Sequence, residues 1–270
     1  MKVKVALAQI APEMCGVSAN LERMRDVLSE TDAELVVFPE MFTTAYMCRD
    51  EHFRLAEGMD GKAVSEIREM VGSTGKHIIT GIGIKEGRRL YNSALYVSPE
   101  GDVKRYDKMF LPTFGPFEEK IYFTAGKEPV MIETPFGKIG LIICYDIFFP
   151  ELARYYALNG ADMLVVLSAS PSVTRKFFEN IMVSRAIENT VFLLYANLIG
   201  TELNLTFWGG DTIVGPRGDV KVKGPYFEEE IVEATLDLEE LETARRLRPS
   251  VADARDDLLE MLKKRTESEE

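Results

Sequence analysis

Cysteine and histidine are scarce in this chain, with three and two residues respectively among 270. Cys15, Cys48 and Cys144 are odd in number and lack metal-ligand spacing, which argues against a disulfide framework and points to a reducing, cytoplasmic setting. His52 and His77 stand apart from each other, so no zinc site is indicated. No apolar run approaches the roughly 20 residues of a membrane helix, and the N-terminal apolar stretch is short, runs straight into Gln9 and has no convincing cleavage site. Long Lys/Arg blocks are also missing, and the formal net charge is −12. Nucleic acid and anionic membranes are held largely through positive charge, so neither is the expected partner. The expected ligand is a small molecule.

What the chain does contain is enough apolar sequence, 46%, for one sizeable core. Runs of Val, Ile and Leu recur at 3–8, 35–38, 78–84, 90–97, 139–143, 163–167, 191–196 and 231–236, and read as buried strands. Helical patterns lie between them: Asn20 to Ser29 after a Ser18 cap, Ala63 to Val71, Pro150 to Leu158 with Pro in the first turn, and Thr174 to Glu188. Three Pro-x-Gly turns, around Pro99, Pro135 and Pro216, predict hairpins within the sheets. The sheets are therefore mixed, in an α/β fold of two sheets packed face to face and covered by helices. The span 1–240 reads as one domain. The charged segment 241–270, with a helix over Asp253 to Lys264 and a polar end, reads as an extension of it that docks on the body or on a partner.

Three positions stand out chemically. Cys144 follows the strand Gly140-Leu141-Ile142-Ile143 and precedes a helix opened by Pro150, at a sharp turn where backbone N–H groups can face an oxyanion and a helix N-terminus or nearby cation would favour thiolate. Glu40 closes the run Leu35 to Pro39, at the strand end where α/β sites are built. Lys108 precedes a loop, Phe114 to Phe123, unusually aromatic for a connection and suited to lining a pocket. Taken singly, each has a plainer reading: a buried structural cysteine, a solvated carboxylate, a surface lysine. Neither histidine is placed beside Cys144 by any motif, which disfavours a cysteine–histidine protease, and Gly81 to Gly87 reads as strand and turn, not a dinucleotide loop. Arg175 and Lys176 are candidates for holding a substrate carboxylate, or simply a solvated helix start.

In combination these residues resemble the nitrilase superfamily of carbon–nitrogen hydrolases. Its hallmarks are a Pro-Glu after an apolar strand, a Lys in Tyr-x-Lys-x-x-Leu and a Cys after Gly-x-x-Ile-Cys. They stand here in order as Pro39-Glu40, Tyr106-Asp107-Lys108-Met109-Phe110-Leu111 and Gly140-Leu141-Ile142-Ile143-Cys144. The resemblance continues through Pro150-Glu151-Leu152, Gly160-Ala161-Asp162, Arg185 to Asn189, Ala196-Asn197 and Gly209-Gly210-Asp211, over nearly the whole chain. Two departures fall near the expected pocket: Thr44-Ala45-Tyr46 where relatives often have Thr-Gly-Tyr, and Phe177-Phe178 where a tryptophan commonly opens the helix.

The resemblance implies a four-layer αββα sandwich, a homodimer joined through helices near the active-site edge, and no metal or organic cofactor. It implies Cys144 as nucleophile, Glu40 as general base and Lys108 with the Tyr145 N–H as oxyanion support. A second glutamate, Glu119 or alternatively Glu118, would hold Lys108. The Cys144-Tyr145-Asp146 sequence matches the amidase and carbamoylase branches, whereas nitrile-cleaving members usually carry Cys-Trp-Glu. The alternatives are a nitrilase, or a catalytically silent member serving as an interaction module.

Overall fold

The computed structural model describes residues 1–255, 257, 258, 260 and 261. In chain order the strands are β1 (Lys2–Gln9), β2 (Leu35–Val37), β3 (His77–Glu86), β4 (Arg89–Val97), β5 (Val103–Asp107), β6 (Met131–Thr134), β7 (Gly137–Ile143), β8 (Met163–Ser168), β9 (Phe192–Asn197), β10 (Ile199–Glu202), β11 (Leu205–Trp208), β12 (Thr212–Val214), β13 (Val220–Lys223) and β14 (Glu230–Asp237). The helices are α1 (Val17–Glu30), α2 (His52–Leu55), α3 (Lys62–Thr74), α4 (Glu119–Tyr122), α5 (Pro150–Leu158), α6 (Arg175–Asn189) and α7 (Glu239–Leu247).

Two six-stranded sheets form, ordered β14-β1-β2-β3-β4-β5 and β13-β12-β9-β8-β7-β6, with β10 and β11 as a separate pair. The central pairs β1/β2, β2/β3, β7/β8 and β8/β9 are parallel, and the outer pairs antiparallel. Side-chain alternation along each strand makes the layers. From β1, Val3, Val5 and Leu7 point to the core shared with the second sheet, while Ala6 and Ala8 face Leu21, Met24, Ile67 and Met70 of α1 and α3. On the other side Leu152, Tyr156, Phe178 and Met182 of α5 and α6 cover the second sheet. The result is the expected αββα sandwich. The three hairpins form where the turns place them, and Gly101, Gly137 and Gly218 take the positive φ they require.

Some expectations need correction. The first helix is not capped by Ser18: its N-cap is Gly16, with no side-chain cap bond. Instead Asn20 secures the entry turn, accepting from the Glu13 amide at 2.6 Å and donating to the Glu13 carbonyl at 2.8 Å. The cysteines are not all unpaired. Packing of segment 41–48 against the β1–α1 connection joins Cys15 to Cys48 in a disulfide, leaving Cys144 as the free cysteine among the described residues. The pairing removes the argument for a reducing compartment.

Helix α7 lies against the body through buried Leu241 and Ala244, and Arg245 donates to the Ala161 carbonyl at 2.8 Å. Of the expected helix over Asp253 to Lys264, Asp253, Ala254 and Arg255 are not helical whereas Asp257, Leu258, Glu260 and Met261 are, and the rest of it and the polar end lie outside the described residues. No helix among the described residues is long and apolar enough to cross a membrane.

Candidate active site

The central strands are parallel and end at the same edge, so the groups that follow them collect there. Glu40 follows β2, Lys108 follows β5, Cys144 follows β7 and Ala169 follows β8. Glu40 and Lys108 are both buried, and an ion pair in such a place is tolerable only when every charge has a partner. Lys108 Nζ donates to Glu40 Oε1 at 2.8 Å and to Glu119 Oε1 at 2.6 Å. The Asn92 side-chain amide donates to Glu40 Oε1 at 2.7 Å, and the Ala169 N–H donates to Glu40 Oε2 at 2.7 Å. Of the two loop glutamates, Glu119 reaches Lys108, while Glu118 is exposed. The Tyr46 hydroxyl fixes Glu119 from the other side at 2.7 Å.

Electrostatics follow from this packing. Burial works against the Lys108 charge, but Glu119 and Glu40 outweigh it and hold the ammonium well above the usual lysine range. Burial pushes the Glu119 carboxyl up, and Lys108 opposes the shift. Burial likewise pushes the Cys144 thiol up, the Glu40 carboxylate adds to this, and Lys108 only partly counters it. This runs against the pull toward thiolate that a helix start and a nearby cation supply, because desolvation beside a carboxylate acts the other way. The nucleophile candidate rests as a thiol, and its proton has to leave as it attacks.

Local backbone makes these positions available. Cys144 sits at φ 46°, in the left-handed region that a side chain rarely adopts, at the turn leaving β7. The buried Asp146 secures that turn: Oδ2 accepts from the Ile143 N–H at 3.1 Å and the Tyr106 hydroxyl at 2.7 Å, and Oδ1 from the Phe110 N–H at 2.9 Å. One carboxyl thus ties the Cys144 turn to the strand and loop that carry Lys108, with burial pushing it up to about 6. The departure at Ala45 also has a local meaning, since its φ of 66° is a conformation glycine adopts without strain. Arg185 donates to the Ile147 carbonyl at 2.9 Å and to Glu188 at 2.8 Å, a scaffold for the same turn.

Gly81 on β3 is a further requirement that the sequence patterns pass over. A Cβ there would stand 2.2 Å from the Met41 nitrogen and 2.4 Å from the Pro39 carbonyl oxygen. Only glycine lets the Glu40 backbone lie this close to the sheet. Motif reading also misses Asn92 and Glu202, whose carboxyl accepts from the Tyr46 and Met47 amides at 2.9 and 2.8 Å. Their signal is burial, which composition does not reveal.

Cys144 opens on a cavity of about 150 Å³ that Tyr145, Phe148 and Phe178 help to line. Arg175 and Lys176 are not part of its wall: the Arg175 guanidinium lies 4.6 Å over the Tyr226 ring, and Lys176 is exposed. Among the described residues no group of His, Cys, Asp and Glu is arranged to hold a metal ion.

Comparison with known proteins agrees with this architecture. A probable nitrilase of Schizosaccharomyces pombe is 33% identical over 257 residues, covering 91% of this chain and 93% of that protein. A 2-oxoglutaramate amidase of Bacillus subtilis is 32% identical over 228 residues, covering 84% and 86%. The crystal structure of a carbon-nitrogen hydrolase from Helicobacter pylori superposes with a TM-score of 0.88 at 29% identity, covering 98% of this chain and 99% of that one. The family profile described as carbon-nitrogen hydrolase matches residues 4–246. With the sandwich, the buried Glu40–Lys108–Glu119 cluster and the adjoining Cys144 in place, this match over nine-tenths of the sequence means that the chain belongs to the carbon-nitrogen hydrolase family.

Proposed function

We propose that the protein is a thiol amidohydrolase that cleaves a small amide or carbamoyl compound to an acid and ammonia through a thioester on Cys144. The observation that carries this reading is a free, buried thiol, pushed up by its burial, beside a carboxylate, Glu40, whose oxygens are fixed by Lys108, Asn92 and the Ala169 N–H. As sulfur attacks the carbonyl carbon, Glu40 takes the thiol proton, and the oxyanion is held by Lys108 and the Tyr145 N–H. Glu40 then protonates the departing nitrogen as the C–N bond breaks. Water, losing a proton to Glu40, attacks the thioester; collapse breaks the C–S bond, and the sulfur recovers its proton. Glu119, braced by Tyr46, keeps Lys108 in place.

Cys144-Tyr145-Asp146 favours amide over nitrile, and a nitrilase passing through the same thioester is the second reading, in keeping with the relatives that carry that name. An intact Glu40, Lys108 and Cys144 set weighs against a silent interaction module. Exposed Tyr155 and Leu158 on α5 support a homodimer formed across that helix layer, which light scattering of the purified protein would test.

The central experiment measures ammonia and acid release from amides, carbamoyl compounds and nitriles by wild type and Cys144→Ala. Turnover of amides or carbamoyl compounds that disappears in the variant is the expected result. Turnover of nitriles alone would move the assignment to nitrilase, and turnover that survives in the variant would refute the thioester route.

A further inference from the structure

The acyl side of the site has a chemical character of its own. Six aromatic residues, Phe114, Phe117, Tyr145, Phe148, Phe177 and Phe178, line the cavity that meets Cys144, with prolines and two small hydroxyl residues completing the wall. Its volume of about 150 Å³ equals that of an engineered apolar cavity that takes up benzene. No charged side chain among the described residues forms part of the wall.

The hydroxyls are already committed. Ser170 Oγ and Thr174 Oγ1 lie 2.7 Å apart, Thr174 Oγ1 donates to the Pro171 carbonyl at 2.8 Å, and Trp208 Nε1 donates to Ser170 Oγ at 3.2 Å. With Thr174 donating to Pro171, the Ser170 proton goes to Thr174, so neither hydroxyl has a donor left for a ligand. The Tyr145 phenol is the remaining hydroxyl in the wall, and one neutral donor does not compensate a buried carboxylate.

The neighbouring cations do not change this. Arg175 is stacked on Tyr226 beside Glu179, and Lys176 lies outside the wall. Lys120 is exposed on the adjoining groove formed with Met109, Phe110 and Phe149.

We propose that the acyl group accepted here is neutral and apolar, a branched aliphatic or aryl group of about benzene size, and that amides bearing a second, anionic carboxylate are excluded. The inference rests on the amidohydrolase reading for its chemistry but not for its binding. It separates this chain from its 2-oxoglutaramate amidase relative, whose substrate by its name is a carboxylated amide.

The test is equilibrium binding to Cys144→Ala, which is independent of turnover, with hydrolysis by wild type measured in parallel. Acetamide, propionamide, isobutyramide and benzamide form the apolar series, and glutaramate is set against its uncharged isostere 5-methylhexanamide. Affinity is expected to rise about fourfold for each methylene buried, and glutaramate to bind at least about a hundredfold more weakly than the isostere. Glutaramate binding within tenfold of the isostere, no gain along the series, or no binding by any apolar amide would each overturn the proposal. Apolar amides that bind as expected but are not hydrolysed by wild type would leave the pocket assignment standing and count against the amidohydrolase. Glutaramate that binds well and is hydrolysed in a Cys144-dependent way would do the reverse.

Discussion

Glu202 offers a quantitative test of how the site's supporting segment is held. Its carboxyl lies buried on β10 and accepts from the Tyr46 and Met47 amides, yet it has no cationic partner among its bonds. Burial therefore dominates, and the carboxyl is pushed from 4.5 up to about 7. At Glu202 the folded state then binds more protons than the unfolded state between these values, so this group's contribution to stability is fully present below pH 4.5 and is lost as pH rises through that window. At about 1.4 kcal/mol per unit of pKa, the stability lost to Glu202 between pH 5 and pH 8 is about 2 to 3 kcal/mol.

Glu202→Gln keeps an oxygen for both amides and removes the titration. Any fixed cost of placing an amide there cancels when the variant is compared with wild type at the two pH values. The difference in unfolding free energy should shift in favour of the variant by about 2 to 3 kcal/mol from pH 5 to pH 8, or about 5 to 10 °C in Tm. Thermal melts of both proteins across that range measure it. Parallel curves would refute the reasoning, because they would mean that Glu202 does not titrate there and is not desolvated as its position requires.

Gly81→Ala should drive the Glu40 backbone away from β3, costing about 1 to 3 kcal/mol of stability and on the order of a hundredfold in kcat. Kinetics on a folded, purified variant check this, and unchanged kcat would count against the close approach as a requirement. Reduction of the Cys15–Cys48 bond releases a loop spanning 33 positions. Chain-entropy reasoning puts the loss at roughly 3 to 4 kcal/mol, so melts with and without dithiothreitol should differ by several degrees, and identical melts would show the bond does not form. Because burial raises the Cys144 thiol, its alkylation should be slow at neutral pH and accelerate as pH is raised, and fast, pH-independent alkylation near pH 6 would contradict a protonated resting state.

Much of the sandwich is written in local pattern. The apolar runs became strands because fully buried strands need apolar residues on both faces, and the Pro-x-Gly turns became hairpins because they supply the required φ values. Glu40, Lys108 and Cys144 stand out through motif and spacing, and the parallel strand ends bring them to one edge. Residues that act through burial are the ones the pattern passes over. Asp146 resembles an ordinary loop carboxylate until Ile143, Phe110 and Tyr106 are seen to converge on it. Cys15 and Cys48 are 33 positions apart with nothing between them to announce a bond, which exists because two connections are packed together. The upward push on the Cys144 thiol is hidden for the same reason: a helix start and a lysine are visible in sequence, whereas burial is not.

The two oxygens of Glu40 reach different halves of the molecule. Oε1 is bound by Asn92 and Lys108, which belong to the first sheet and its loop, and Oε2 by the amide that follows β8 in the second. A working Glu40 therefore needs both sheets formed and docked, since neither half alone holds both of its oxygens. In refolding, recovered turnover would report the meeting of the two sheets, which strand signal by itself does not.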